Sequence, residues 1–495
     1  MPTNDTHELP RVLNLSHATS IVVGIIIGSG IFLVPHEMMA AVGSSSTVYA
    51  VWIVGGLLSL FGAMTYAEIA AGRPRYGGEY AFIKDAYGDL PGFLYMWAWI
   101  TIVKPASLAT IVAGLARILA SFAVFSFMDK PALGPILWSQ VFAIAVTWII
   151  TGLNIVSTRE SANLQLILTW LKGLLIVVIA GFCFLAVNGQ TTWHNFATTY
   201  TGARGGFSGF MIALIAALWA YDGWSDVSQM AGEVQNPQRS MPFALIGGLT
   251  IVGLLYMLTN AAIQYVLPAT AIANAARPTV DAMRLVAGSH GAALVSIGIA
   301  VSMAATFVGS ALSGARVTFA ASRDGLFFTQ LAHVNKRFQT PDTSLIIQAV
   351  LTTLLLLAIG RFQALFSLAI FAEWLFYALT ASTIYVFRRR DAAAHTPRPF
   401  SIWGYPALPA IFIAAASVLT VFSFIDQPRN SIAGAAVILL GVPVHLLLQK
   451  RQIKAERGPN GSSKRDKNRQ MLSESKTAPT KGRCMFLPSR SFYSF

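Results

Sequence analysis

Long apolar runs separated by short polar loops dominate this chain; Leu164–Val187, Met241–Leu267 and Leu345–Ile359 are three of them. A run of about 20 apolar residues is long enough to cross the hydrocarbon core as a helix, which satisfies every backbone polar group within itself. The pattern predicts twelve spans, at about 17–42, 48–72, 91–122, 134–154, 161–187, 205–232, 241–267, 289–321, 342–360, 362–387, 404–424 and 431–450. The ninth and tenth abut, with only Arg361 as polar punctuation, so eleven spans is the alternative count. The expected layout is a polar N-terminal segment (1–16), an all-α polytopic membrane domain (17–450) and a basic tail (451–495). The tail is rich in Lys, Arg, Ser and Asn and reads as disordered and solvated; contact with anionic lipid is the other role open to it.

Composition agrees. Of 495 residues, 55% are hydrophobic and 11% charged, against about 25% charged in an ordinary soluble domain. The net charge of +14 raises a nucleic-acid reading, but its distribution argues against one. Twelve of the 35 Lys and Arg lie from Lys450 onward, and most of the others sit in short loops. With the N-terminus inside, the inner segments before the tail hold thirteen Lys and Arg and the outer loops six, among them Arg361. The positive-inside rule therefore places both termini in the cytoplasm of a multi-pass protein of the cell (inner) membrane. The two cysteines, Cys183 and Cys484, give no metal-ligand spacing, and a structural disulfide between them is not expected. Gly77-Gly78 is not followed by a Lys-Ser/Thr pair at phosphate-loop spacing, and no nucleophile–base signature is legible. Nothing here points to an enzyme, a metal or a cofactor.

Two spans carry helix breakers at matching depth. In the first, Gly28-Ser29-Gly30 precedes Ile31-Phe32, with Pro35 shortly after. Glycines there disfavour a continuous helix, and an opened helix leaves the amides of Gly28, Ser29 and Gly30 for an anion at the new half-helix N-terminus. In the sixth span, Trp219-Ala220-Tyr221-Asp222-Gly223-Trp224-Ser225-Asp226 interrupts the helix again. Carbonyls released by its first half face a cation such as a substrate ammonium, and Asp222 is placed to cap the second half. The breaks begin about 11 and about 12 to 14 residues into their spans, five spans apart. Interrupted helices at corresponding places in two halves point to a midplane site in an inverted-repeat transporter. The alternative is close helix packing, since Gly24 and Gly28 also form a small-xxx-small pair.

These stretches resemble the amino acid–polyamine–organocation superfamily, and within it the L-type amino acid transporter family. Gly28-Ser29-Gly30-Ile31-Phe32 is similar to the family's first-helix motif. Glu68, Pro74, Gly77-Gly78-Glu79-Tyr80 and Gly88 fit the stretch after the second helix, and Lys104-Pro105-Ala106-Ser107 is similar to its third-helix Arg-Pro-Ala-Ser. Gly232-Glu233-Val234 with Asn236-Pro237 and Arg239, then Ala321-Ser322-Arg323-Asp324-Gly325 and Arg398-Pro399-Phe400, follow in the family's order from about residue 12 to 450. The resemblance implies the leucine-transporter fold: two inverted five-helix repeats, about 17–187 and 205–387, plus two extra helices at about 404–450. It implies carboxylate binding at Gly28, Ser29 and Gly30, and an amino group held near Ile26, Trp219 and Asp222, with Ala220 and Gly223 in the same stretch. Trp219 stands where the family usually has a gating Phe. Lys172, deep inside the fifth span and too far from its ends to snorkel easily, stands where a lysine in relatives replaces a sodium ion and braces the first helix.

Departures narrow the picture. Asp222 stands where the family often has Gly, and favouring cationic substrates, linking transport to protons or capping a helix are the roles open to it, the cap being preferred. Ser225 and Ser228 replace asparagines of animal members. The outer loop around Asp129-Lys130-Pro131 has no Cys, which removes the disulfide to an accessory subunit. Lys104 is expected to meet a backbone carbonyl or a vestibule, Glu373 to make an interhelical hydrogen bond, and Glu68, Glu233 and Arg239 to form contacts at the inner end. The expectation is a bacterial-type secondary carrier of neutral L-amino acids, sodium-independent and exchanging its substrates. Proton symport, an amine or polyamine permease and a non-transporting membrane sensor are the rivals.

Overall fold

The computed structural model describes residues 9–120, 122–186, 192–359 and 362–456. Arg361, Cys484 and nearly all of the basic tail lie outside the described residues. The chain divides into two compact units, Met1–Val442 and Pro443–Phe495. The second unit contains the last turns of the final helix, and everything below concerns the first.

The helices follow the apolar runs. In chain order they are α1 (Leu15–Ile26), α2 (Gly30–Val42), α3 (Ser45–Gly72), α4 (Glu79–Tyr87), α5 (Asp89–Ala98), α6 (Lys104–Ala120), α7 (Trp138–Val156), α8 (Thr158–Leu185), α9 (Gly206–Ala220), α10 (Asp226–Gln229), α11 (Pro237–Pro242), α12 (Gly248–Val266), α13 (Ala269–Asn274), α14 (Pro278–Arg323), α15 (Asp342–Ala358), α16 (Phe362–Ala393), α17 (Ala407–Asp426) and α18 (Pro428–Glu456). Among the described residues, nine helical stretches are long and apolar enough to cross a membrane, and α9 and α15 are shorter apolar helices. The first of the nine, Leu15–Val42, contains α1, the interruption and α2.

Local chemistry sets the ends. Asn14 starts α1 by accepting from the His17 amide at 2.9 Å, and Ser157 starts α8 by accepting from the Glu160 amide at 3.1 Å; each satisfies an amide the helix itself cannot. Gly43 ends α2 with φ +74°, a left-handed geometry that suits glycine. Inside α14, Ala287 and Gly288 leave helical geometry, so it is two helices joined at a kink.

The helix surfaces are turned inside out relative to a soluble protein. On α8, Ser161, Gln165, Thr169 and Lys172 are buried, whereas Ile167, Trp170, Leu171 and Leu174 are exposed. That is stable where the surroundings are hydrocarbon and polar groups must find partners in the protein. The chain is a multi-pass membrane protein.

One end of the helix set is closed by polar contacts. Leu13 forms a bridge with Val234: its amide donates to Glu233 O at 3.0 Å, and its carbonyl accepts from the Gln235 amide at 2.7 Å. Nearby, Glu68 is held in a two-point pair by Arg388 at 2.6 and 2.7 Å, Arg73 meets Asp391 at 2.5 Å and Lys84 meets Asp324 at 2.6 Å. Glu233 receives the fully buried Arg316 guanidinium at 2.9 and 3.2 Å. Glu68 and Glu233 thus each hold an arginine at this end. Arg239 instead stacks over Phe243 at 5.9 Å.

Candidate functional site

The first expected break is present. α1 stops at Ile26 and α2 starts at Gly30, so residues 27–29 are unwound. The opening frees carbonyls on one side, and Lys172 answers them. Its ammonium donates to Gly24 O at 2.6 Å and Ile27 O at 3.0 Å, and meets Thr306 Oγ at 2.9 Å. The Ser302 hydroxyl donates to Ile27 O at 3.0 Å. On the other side, the amides that open α2 begin where no intrahelical partner exists. Gly28 differs from expectation: its amide closes a tight turn onto Ile26 O at 2.7 Å. Ser29, at the cap, and Gly30 are the first residues of α2, where amides have no intrahelical partner.

The second break is longer. α9 ends at Ala220 and α10 begins at Asp226, with a run of turns over 221–225. Gly223 has φ +100°, and a Cβ there would lie 2.5 Å from Ile25 Cγ2, so both conformation and space require glycine. The expected second half-helix shrinks to the four residues of α10 and a 3₁₀ turn at Ala231–Glu233. Its cap is Ser225, without a side-chain hydrogen bond, so Asp222 does not cap it. Asp222 Oδ1 instead accepts from the Tyr377 hydroxyl at 2.8 Å. Within the turn the Asp222 amide donates back to Trp219 O at 3.0 Å.

Both breaks border one cavity of ≈ 60 Å³. Every residue expected to hold substrate lines it: Ile26, Gly28, Ser29, Gly30, Trp219, Ala220, Asp222 and Gly223. Lys172 stands behind the first break rather than in the lining. The breaks are also packed backbone to backbone, since a Cβ on Gly30 would lie 2.8 Å from Ala220 Cα. The Tyr256 hydroxyl joins them, lying 2.9 Å from Ile26 O and 2.7 Å from Ala220 O.

Other lining groups were not legible as site residues. Lys104 meets neither a carbonyl nor a vestibule: its ammonium pairs with Asp226 at 2.6 Å, both side chains being buried. Ser313 donates to the same Asp226 oxygen at 2.8 Å. Glu373 lines the cavity and lies 3.3 Å from the Tyr377 hydroxyl, a neighbour on its own helix rather than across helices. The available signal was the rarity of charges inside apolar runs, which flags Lys104, Arg316 and Glu373 individually but not their partners. Tyr256 and Tyr377 gave no signal, because a tyrosine in an apolar run is unremarkable.

Trp219 also borders a second cavity, a vestibule of ≈ 540 Å³ lined by Glu37, Arg117, Asp129 and Arg277 among others. Trp219 therefore borders both the central cavity and the vestibule.

Comparison with known proteins agrees with this geometry. The amino acid permease family model matches residues 13–447. The chain is 31% identical to the serine/threonine exchanger SteT of Bacillus subtilis over 463 residues, 91% of this chain and 100% of that protein. It is 30% identical to the human cystine/glutamate transporter over 90% of this chain and 87% of that one. It is 29% identical to the human b(0,+)-type amino acid transporter 1 over 84% of each. The chain belongs to the amino acid permease family, of the L-type and bacterial kind within the superfamily, and its class of activity is membrane transport rather than enzymatic catalysis.

Proposed function

We propose that this carrier moves amino acids across the cell membrane by sodium-independent alternating access, exchanging one amino acid for another, and that neutral L-amino acids are among its substrates. The observation that carries the reading is the convergence of two helix breaks on one cavity. The amides at the start of α2 suit a carboxylate, and the helix dipole favours one there. Carbonyls at the end of α9 and the acids beside them suit an ammonium. A zwitterion satisfies both at once, whereas an amine without a carboxylate leaves the α2 amides unmatched.

In this reading the chain makes twelve spans, with inverted repeats at about 17–187 and 205–387, extra helices at about 404–450 and both termini in the cytoplasm. Lys172 supports sodium independence, because its ammonium occupies the place between α1, α8 and α14 where a cation would otherwise answer the freed carbonyls. Trp219 acts as the gate between vestibule and site, and the polar contacts at the Leu13 end form the opposite gate. One relative, named as a serine/threonine exchanger, supports exchange over proton symport, and no disulfide-linked subunit is required.

The test is uptake by purified protein in liposomes. Uptake should be equal in sodium and choline buffers and several-fold faster into vesicles preloaded with amino acid. A requirement for sodium, or uptake driven by a proton gradient alone with no effect of preloading, refutes the exchange reading. Better competition by decarboxylated amines than by their parent amino acids refutes the zwitterion clamp.

A further inference from the structure

Apart from the central site, the ends of α3 and α16 and the loop after α16 border a cavity of ≈ 250 Å³. Glu68, Arg73, Asp391 and Arg398 line it, together with Gly72 and Phe387. Both acids are already answered. Glu68 accepts two bonds from Arg388, at 2.6 and 2.7 Å, and one from the Ile402 amide at 2.8 Å. Asp391 accepts from Arg73 at 2.5 Å, whose guanidinium also lies 3.9 Å over the Phe387 ring. Arg398 is left under-served. Its Nε is sealed from solvent and has no hydrogen-bond partner among the described residues. The Asp391 carboxylate lies 3.7 Å from that nitrogen, and Arg398 Nη2 reaches Arg388 O at 3.4 Å. A sealed guanidinium donor normally finds an acceptor. Three arginines therefore share two carboxylates, Glu68 and Asp391. Arg389 and Arg390, both exposed, add to the positive side.

What such a pocket lacks is an oxyanion. A guanidinium fork matches the oxygens of a phosphate, and each bond to them is charge-assisted. The surroundings indicate where the phosphate comes from. Ile402, bonded to Glu68, is followed by Trp403, whose side chain is 74% exposed. α3, which brings Glu68, Gly72 and Arg73 to the cavity, is long and apolar enough to cross a membrane. An exposed tryptophan beside clustered arginines at the end of such a helix marks the headgroup level of a bilayer. We propose that this cavity binds the phosphate of an anionic phospholipid, with Arg398 as its chief ligand and Arg73 beside it. The headgroup gives Arg398 the acceptor it lacks and ties the loop after α16 to the end of α3. The surplus positive charge favours a headgroup of net negative charge over one whose phosphate is balanced by its own amine.

The experiment is thermal melting of the full chain, purified in a neutral detergent, with phosphatidylglycerol, phosphatidylcholine or inorganic phosphate added. Phosphatidylglycerol should raise the melting temperature by several degrees, and phosphatidylcholine by less than half as much. Inorganic phosphate should do no more than sodium chloride of equal ionic strength. In R398Q the phosphatidylglycerol shift should fall by more than half, and R398K should keep part of it. A second variant leaves every charge in place. A Cβ on Gly72 would meet no atom within 4 Å, so G72F fills the cavity from its lining; without lipid it should melt like the native protein, and it should lose the shift. R429Q removes an exposed arginine outside the cluster and should keep the full shift. Equal shifts from the two lipids overturn the proposal, as does a phosphatidylglycerol shift that survives in both R398Q and G72F. Inorganic phosphate that reproduces the shift by itself overturns the assignment to lipid and makes this a site for a soluble phosphate.

Discussion

The two helix breaks do similar geometry with opposite chemistry. At the first, a cation from α8 answers exposed carbonyls: Lys172 binds Gly24 O and Ile27 O, with Thr306 and Ser302 beside it. At the second, acids within the unwound segment and the short helix after it are answered by other elements: Tyr377 binds Asp222, and Lys104 and Ser313 bind Asp226. The first break is supported from behind, with Lys172 outside the cavity lining. At the second, the ion pair of Lys104 with Asp226 is itself in the lining. A perturbation of the first support should therefore act on stability and turnover but leave substrate preference unchanged, and one of the second should change substrate preference as well. Six substitutions, in four tests, can break or sharpen that contrast.

The largest effect belongs to the Lys104–Asp226 pair. Replacing Lys104 by Met leaves a buried carboxylate held by the neutral donors Ser313 and Gln229, at 2.8 and 3.4 Å, a loss of about 3–5 kcal/mol. D226N strands the ammonium at similar cost. The double variant K104M/D226N should be more stable than either single one, because it removes both charges together. Thermal melts of the four proteins measure this. Additive losses in the double variant would show that the pair is not energetically coupled.

Next comes Lys172. K172M keeps the aliphatic bulk and removes three polar contacts, which should cost about 2–4 kcal/mol and abolish uptake. If the contrast holds, the competition pattern among substrates in any residual binding should be unchanged by K172M and altered by D226N. Ligand-dependent melting of both variants checks it. A change of ligand order in K172M would place its ammonium in the binding site.

How much of this could be read beforehand differs between the breaks for a physical reason. Gly28-Ser29-Gly30 and Gly223 announce unwinding because glycine weakens a helix wherever it stands, so the breaks were legible from local sequence, whereas Ile26 and Trp219 were implied as site residues by the family resemblance. Lys172 was legible because an ammonium deep in an apolar run demands an explanation. The pairing of Lys104 with Asp226 was not, since 122 positions separate them and no local rule joins α6 to α10. Asp222 looked like a helix cap because a helix was expected to follow at once. The structure delays it to Asp226, and a tyrosine on α16, 155 positions away, takes the acid instead. The Gly28 amide was expected to be open; the turn onto Ile26 is tighter than a simple helix opening.

Gly30 and Gly28 separate close packing from mere helix breaking. A Cβ at Gly30 would lie 2.8 Å from Ala220 Cα, which cannot move without shifting α9. At Gly28 the nearest atom would be Thr306 Oγ at 3.5 Å, an ordinary contact. G30A should therefore cost about 1–3 kcal/mol and lower uptake at least tenfold, while G28A should cost about 1 kcal/mol or less. Uptake and melting of the two variants decide it. Equal losses would mean that backbone conformation, not the approach of the two breaks, is what glycine supplies here.

A similarly small effect concerns a group that touches both breaks. The Tyr256 hydroxyl lies within 3 Å of Ile26 O and Ala220 O, one carbonyl from each side. It has one hydrogen, so only one of the two carbonyls is fully served at any moment. Y256F keeps the ring against Trp52 and Tyr221, whose centroids lie 5.3 and 5.2 Å away, and removes only that shared donor. The expected loss of stability is about 1 kcal/mol, the net worth of one buried hydrogen bond. If the hydroxyl holds the breaks together, Y256F should also weaken G30A's effect, because the approach that the added methyl opposes would already be loosened. In a double variant the two losses would then sum to less than their separate values. Strict additivity in melting temperature would show that Tyr256 satisfies two neighbouring carbonyls without coupling the helices that carry them.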